Sequence, residues 1–99
     1  NATSPATNGE SLHVRLLERA YKCRVLLCRE EGGGYSALAL ELPGVASQGN
    51  TKREALANVA EAFRGAISVY LDDGGKIPWT DAKRERPADS EEHWLLVDV

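Results

Sequence analysis

From Tyr21 onward apolar and polar positions alternate. Tyr21, Cys23, Val25 and Leu27 interleave with Lys22, Arg24, Leu26 and Cys28. Successive side chains of a strand point to opposite faces, so a period of two predicts a strand. Glu30-Glu31-Gly32-Gly33-Gly34 follows as a polar turn whose glycines are free to take positive φ. A second strand is expected over residues 35–42, and the two form a hairpin. Its faces are unlike: Leu38, Leu40 and Leu42 are large, while Ala37 and Ala39 on the reverse are small. The large face is expected to carry the main core. The small face lets another element approach, either the segment 12–20 or a second copy of the chain. Pro43-Gly44 then turns into a short third strand, 45–48.

The period next changes to that of a helix. Thr51-Lys52-Arg53-Glu54 is a capping box: the Thr51 hydroxyl accepts from the Glu54 amide and the Glu54 side chain reaches back. Leu56, Val59, Ala60, Phe63, Ile67, Tyr70 and Leu71 mark one stripe of the helix that follows. Asp72-Asp73-Gly74-Gly75 stops it, with Gly74 as the left-handed cap. Residues 76–92 form a charged, proline-containing connection, and 93–99 alternate again as a final strand. Upstream, Ser11 can cap a short helix with Leu12, Leu16, Leu17 and Ala20 on one side, though 13–17 also suit a strand. Residues 1–10 are small and polar and are expected to be a disordered tail. The order predicts one α+β domain over 11–99, with a single long helix against one face of a sheet.

Composition narrows the function. The chain has 99 residues, 42% hydrophobic and 27% charged, with a net charge of −3. One small domain fills that length, and its thin stability margin would gain from a partner. Charge-driven nucleic-acid binding needs a basic surface, so no direct nucleic-acid contact is expected; an acidic domain suits a basic partner. No apolar stretch is long enough to span a membrane, and the first ten residues lack the apolar core of a secretory signal. The start at Asn1-Ala2, without an initiator Met, reads as the remnant of a cleaved tag. Cys23 and Cys28 are an odd number apart in one strand, hence on opposite faces, unable to bond or share a metal. Two unpaired thiols fit a reducing cytoplasm.

Residues 21–79 resemble the HicB-like antitoxin domain of HicA/HicB toxin–antitoxin systems. The matching pieces are the opening strand, the glycine-rich turn before Tyr35, and Glu41-Leu42-Pro43-Gly44-Val45-Ala46-Ser47-Gln48-Gly49. Asn50-Thr51, Glu54-Ala55-Leu56-Ala57-Asn58, Glu61-Ala62, Tyr70-Leu71 and Ile77-Pro78 follow in the same order. The resemblance implies a β-β-β-α-β fold, a degenerate relative of the ribonuclease-H fold. It also implies a partner, a small basic HicA-type RNA-cutting toxin that the antitoxin masks. Two departures stand out: no C-terminal DNA-binding module follows in this sequence, and the segment before Tyr21 is longer than the family's minimal form. Solitary members without a toxin are the alternative, as homo-oligomers with a regulatory or scaffolding role.

Other chemistry competes with this binding role for the same residues. Leu42, Pro43, Gly44, Gln48, Gly49, Thr51 and Glu54 read as scaffold, since they make a turn and start a helix. A ribonuclease-H-like nuclease needs several acids converging on two metal ions. Glu41, Asp72, Asp73, Asp81 and Asp98 are available, but none lies mid-way along the first strand, and an acid cluster at a helix C-terminus is unfavourable. His13 and His93 are far apart with no metal-ligand spacing, and no Ser or Cys sits beside an oriented base. Gly32–Gly34 lacks the lysine and helix of a phosphate loop. No enzymatic activity, metal or cofactor is therefore expected. For toxin binding the candidates are Trp79 as anchor with Glu30, Glu31, Asp72, Asp73, Glu91 and Glu92 as acids. The runs 83–86 and 91–92 otherwise read as a solvated loop. Trp94 and Leu96 share one face of the last strand, opposite Leu95, Val97 and Val99. One helix cannot cover both faces, so Trp94 and Leu96 are the candidate contact of a homodimer or larger homo-oligomer.

Overall fold

A computed structural model describes residues 20–81 and 87–99. The expected tail 1–10, the helix or strand before Ala20, and His13 lie outside the described residues. The remainder is four strands and one helix: β1 (Ala20–Arg29), β2 (Tyr35–Ala39), β3 (Ala46–Gly49), α1 (Lys52–Asp72) and β4 (Ser90–Asp98). The sheet order is β3-β2-β1-β4 and every neighbouring pair is antiparallel. This is the α+β class and the β-β-β-α-β order expected from the sequence.

The alternation in β1 sorts its residues as the period of two implies. Cys23, Val25 and Leu27 point to the helix side and are buried, with Ala37, Ala39 and Val97 beside them. Cys28 faces the other way from Cys23, and both thiols are free. Ala55, Val59, Phe63 and Ile67 of α1 close the core from above.

Five expectations need correction. The core lies on the small face of β2, under Ala37 and Ala39, and not on the leucine face. A helix axis comes close to a sheet only over small side chains, and α1 takes that approach. Leu38 and Leu40 are half-buried, and Leu42 enters the core from the turn after the strand. β2 stops at Ala39 because the Ala39 N–H bonds to the Val45 carbonyl at 2.9 Å, closing a turn around Pro43 and Gly44. Gly44 takes φ 82° there, the left-handed region that glycine favours. β3 is shifted by one residue, to Ala46–Gly49. β4 begins at Ser90, three residues earlier than its apolar pattern, because it pairs without interruption from Cys28↔Ser90 to Ala20↔Asp98. Leu71 is 43% exposed and falls outside the buried stripe.

The start of α1 is the capping box. Thr51 Oγ1 accepts from the Glu54 N–H at 3.1 Å, and the Glu54 carboxylate accepts from the Asn50 N–H at 2.6 Å. Gly49 brings β3 against this first turn. A Cβ on it would lie 2.5 Å from the Ala55 nitrogen and 2.8 Å from the Glu54 carbonyl carbon. At the far end Gly74 and Gly75 both take positive φ, and the Gly75 N–H returns to the Tyr70 carbonyl at 2.8 Å.

Candidate functional site

After α1 the chain doubles back and straps the end of the sheet. The Trp79 N–H donates to the Ile77 carbonyl at 2.8 Å, a three-residue turn that Pro78 centres. The Thr80 N–H then donates to the Glu41 carbonyl at 3.0 Å, tying the strap to the turn after β2. Trp79 stands over the core's end, its ring 6.3 Å from Tyr21 and 6.1 Å from Phe63. It is 45% exposed. Tyr21, Lys22, Glu41, Trp79 and Thr80 line a shallow hollow of about 290 Å³ there. Asp72 and Asp73 end the helix in the same half of the domain. Their charges and the negative end of the helix dipole make that end attractive to cations. The hollow itself is lined without either aspartate.

The other candidate acids lie elsewhere. Glu30 accepts from the Ser36 hydroxyl at 2.8 Å in the β1–β2 turn, with Glu31 beside it. Glu91 meets the opposite end of α1, where Lys52 donates to it at 2.5 Å and His93 bonds it at 2.9 Å. The Lys52 hydrogen bond, and then that of His93, hold the Glu91 carboxyl below its usual range. Glu92 points to the outer face of the sheet and is ion-paired with Arg24. A 21-residue helix is about 31 Å long, so Glu91, bonded to Lys52 at its start, is at the opposite end of α1 from Asp72 and Asp73. The six acids occupy two ends and two faces and do not form one patch.

The outer face of the sheet, away from α1, carries the second candidate surface. Trp94 is 58% and Leu96 66% exposed, on the face that the alternation assigns them. The Arg24 guanidinium lies over the Trp94 ring at 5.5 Å. A cation over the face of an indole is attracted by the ring's quadrupole.

The acids considered for metal-dependent chemistry, Glu41, Asp72, Asp73, Asp81 and Asp98, do not converge. Among the described residues no group of three His, Cys, Asp or Glu could hold a metal ion. Cys23 is 1% exposed, and burial, with the Glu41 charge adding, pushes its thiol up to about 11. The neutral thiol is therefore favoured by folding. Between pH 9 and about 11 the folded state holds the proton more tightly, so stability is full below pH 9 and falls as pH rises through that window. A thiol reagent at pH 8 is expected to label Cys28 alone, with Cys23 reacting only after denaturation. Labelling of both at equal rates in the folded protein would show the core to be open.

A UPF0150 protein of Thermoplasma acidophilum is 39% identical over 62 residues, covering 63% of this chain and 90% of that protein. The chain belongs to the UPF0150 family. A second UPF0150 protein, from Synechocystis, is 36% identical over 64 residues, covering 65% of this chain and 81% of its own. No family model matches the chain. Among solved structures, the N-terminal domain of the Burkholderia pseudomallei antitoxin HicB superposes with a TM-score of 0.56 at 23% identity. It covers 80% of this chain and 98% of that one. The UPF0150 chain thus has the fold of an antitoxin's N-terminal domain, as the Leu42-to-Glu54 motif implied. No helix among the described residues is long and apolar enough to cross a membrane. The stack of Trp79 on Tyr21 and Phe63 joins residues distant in sequence, and only the Ile77-Pro78 pair before the tryptophan hints at it.

Proposed function

We propose that this UPF0150 domain is an antitoxin-like binding protein of the cytoplasm, acting by occlusion and not by catalysis. Its partner is a small basic RNA-cutting toxin of the HicA type. The observation that carries this reading is the fold shared with the HicB N-terminal domain over nearly the whole of that domain. The exposed Trp79 and the acidic helix end at Asp72 and Asp73 offer chemistry that would suit a basic partner. Trp79 anchors by burying its exposed edge, while the two carboxylates meet the toxin's basic RNA-binding face. Complementary charge speeds encounter and selects the partner more than it adds affinity.

The test is co-expression with any small basic protein encoded beside the gene, followed by size-exclusion chromatography with mass determination and a growth assay. A stable complex that relieves growth inhibition is expected. Trp79→Ala should weaken it about thirtyfold or more, a hot-spot loss of 2 kcal/mol or above. Asp72→Asn with Asp73→Asn should mainly slow association and flatten its salt dependence. No complex and no rescue would remove the antitoxin reading. The exposed Trp94 and Leu96 favour a second reading, a solitary homo-oligomer with a regulatory role. A gene with no toxin neighbour and a chain that self-associates would support it.

A further inference from the structure

The two edges of the sheet are treated differently. β3 has four residues, lies against α1, and its outward Gln48 carbonyl accepts from Asn58 Nδ2 at 2.8 Å. β4 has nine residues, and among the described residues nothing pairs with its outer edge. Natural proteins protect such edges with charge, proline, bulges or a cover. β4 carries no proline, its register with β1 has no bulge, and the stretch from His93 to Val97 has no acidic or lysine/arginine side chain.

The direction of its backbone groups follows from one hydrogen bond. The Leu40 N–H donates to the Arg24 carbonyl at 2.8 Å, so Arg24 aims its peptide groups toward β2. Alternation along β1 aims those of Cys23 and Val25 toward β4, and their partners Leu95 and His93 answer them. Glu92, Trp94 and Leu96 must then present their N–H and C=O groups outward. Trp94 is the midpoint of Ser90–Asp98.

The geometry points to β4 as a self-pairing edge: two copies join their β4 strands antiparallel about a two-fold axis at Trp94, making one continuous eight-stranded sheet. An antiparallel two-fold can be centred on a residue that bonds to its own copy, with both its groups facing out. Trp94, at the strand's midpoint, has that orientation. Glu92 then exchanges hydrogen bonds with Leu96 of the second copy, and Ser90 with Asp98. The two Trp94 rings come side by side on the outer face, which shelters the most exposed aromatic side chain described. The Glu92 carboxylate keeps its Arg24 partner and also faces the exposed Lys22 of the second copy, one strand in from Leu96. The inference rests on the self-association reading above and not on toxin binding, so a missing toxin complex leaves it standing.

The test uses the full chain alone. Sedimentation equilibrium should give twice the 10.8 kDa chain mass. Hydrogen exchange by NMR should find the Glu92, Trp94 and Leu96 amides as protected as those of Leu95 and Val97. Leu96→Pro removes an outward donor and no bond to β1, so it should give a folded monomer. Should that variant not fold, Trp94→Lys decides: it sets like charges face to face at the axis and should weaken the dimer at least about tenfold. A monomeric wild-type chain would overturn the proposal. So would a dimer whose Trp94 and Leu96 amides exchange freely, one that survives Leu96→Pro in folded protein, or one whose affinity Trp94→Lys leaves unchanged.

Discussion

Replacing Phe63 with alanine is expected to bring the domain close to unfolding. Phe63 is 1% exposed and sits where α1, the sheet and the Trp79 strap meet. Truncating a buried phenylalanine costs about 3–5 kcal/mol, the lost transfer energy plus the cavity left behind. A domain of this size has a stability toward the low end of about 5–15 kcal/mol. The cavity would open under Trp79, so the strap should loosen together with the core. Urea unfolding followed by tryptophan fluorescence should show a much lower midpoint and a red-shifted folded spectrum. A loss under about 1 kcal/mol would mean that the helix can settle over the gap, contrary to the packing described.

Gly49→Ala is the second large effect, from the opposite cause. The added methyl would meet the Ala55 nitrogen at 2.5 Å and the Glu54 backbone at 2.8 Å. Both contacts are main chain at a capped helix start, so no rotamer change relieves them. Overpacking of this kind costs about 1–3 kcal/mol. Gly49 is not among the glycines with positive φ, so alanine's backbone preference is not the source of the loss. Gly32→Ala is the control, because nothing lies within 4 Å of its Cβ position and its φ is not positive. It should be nearly neutral under the same denaturation. Equal stability for the two variants would mean that β3 can move off the helix without cost.

Those two sites show what could and could not be read from the chain. The capping box and the alternation of β1 are local rules, and they placed Thr51, Glu54, Cys23 and Val25 correctly. The choice of core face was not local. Leu38, Leu40 and Leu42 look like the richer face of β2 when the strand is read alone. What decides is how close α1 must come, and that depends on Gly49, Ala37 and Ala39 together. β4 likewise begins at Ser90 because β1 is long enough to pair with polar residues that carry no strand signal of their own. The candidate site was legible only in part. Trp79 and Asp72-Asp73 stood out by type, and the fold put them in one half of the domain. Glu30, Glu31, Glu91 and Glu92 stood out equally, and the strands carried them elsewhere. Acidic residues scattered along a sequence say nothing about which will share a surface.

The position of β4 also sets a timetable for the molecule. β1 is central in the sheet, yet one of its two neighbours is the last of the described elements, with Arg24 and its partner Glu92 separated by 68 positions. During synthesis the ribosome would release β1, β2, β3 and α1 well before Ser90 emerges. Until then β1 offers a bare hydrogen-bonding rim and the underside of α1 is only partly covered. A long chain closure must precede the contacts that reward it, which makes this last docking step slow compared with the hairpin. An interrupted translation product ending before Ser90 would be the sticky, protease-sensitive form of this protein, and the arrival of β4 is what makes it discreet.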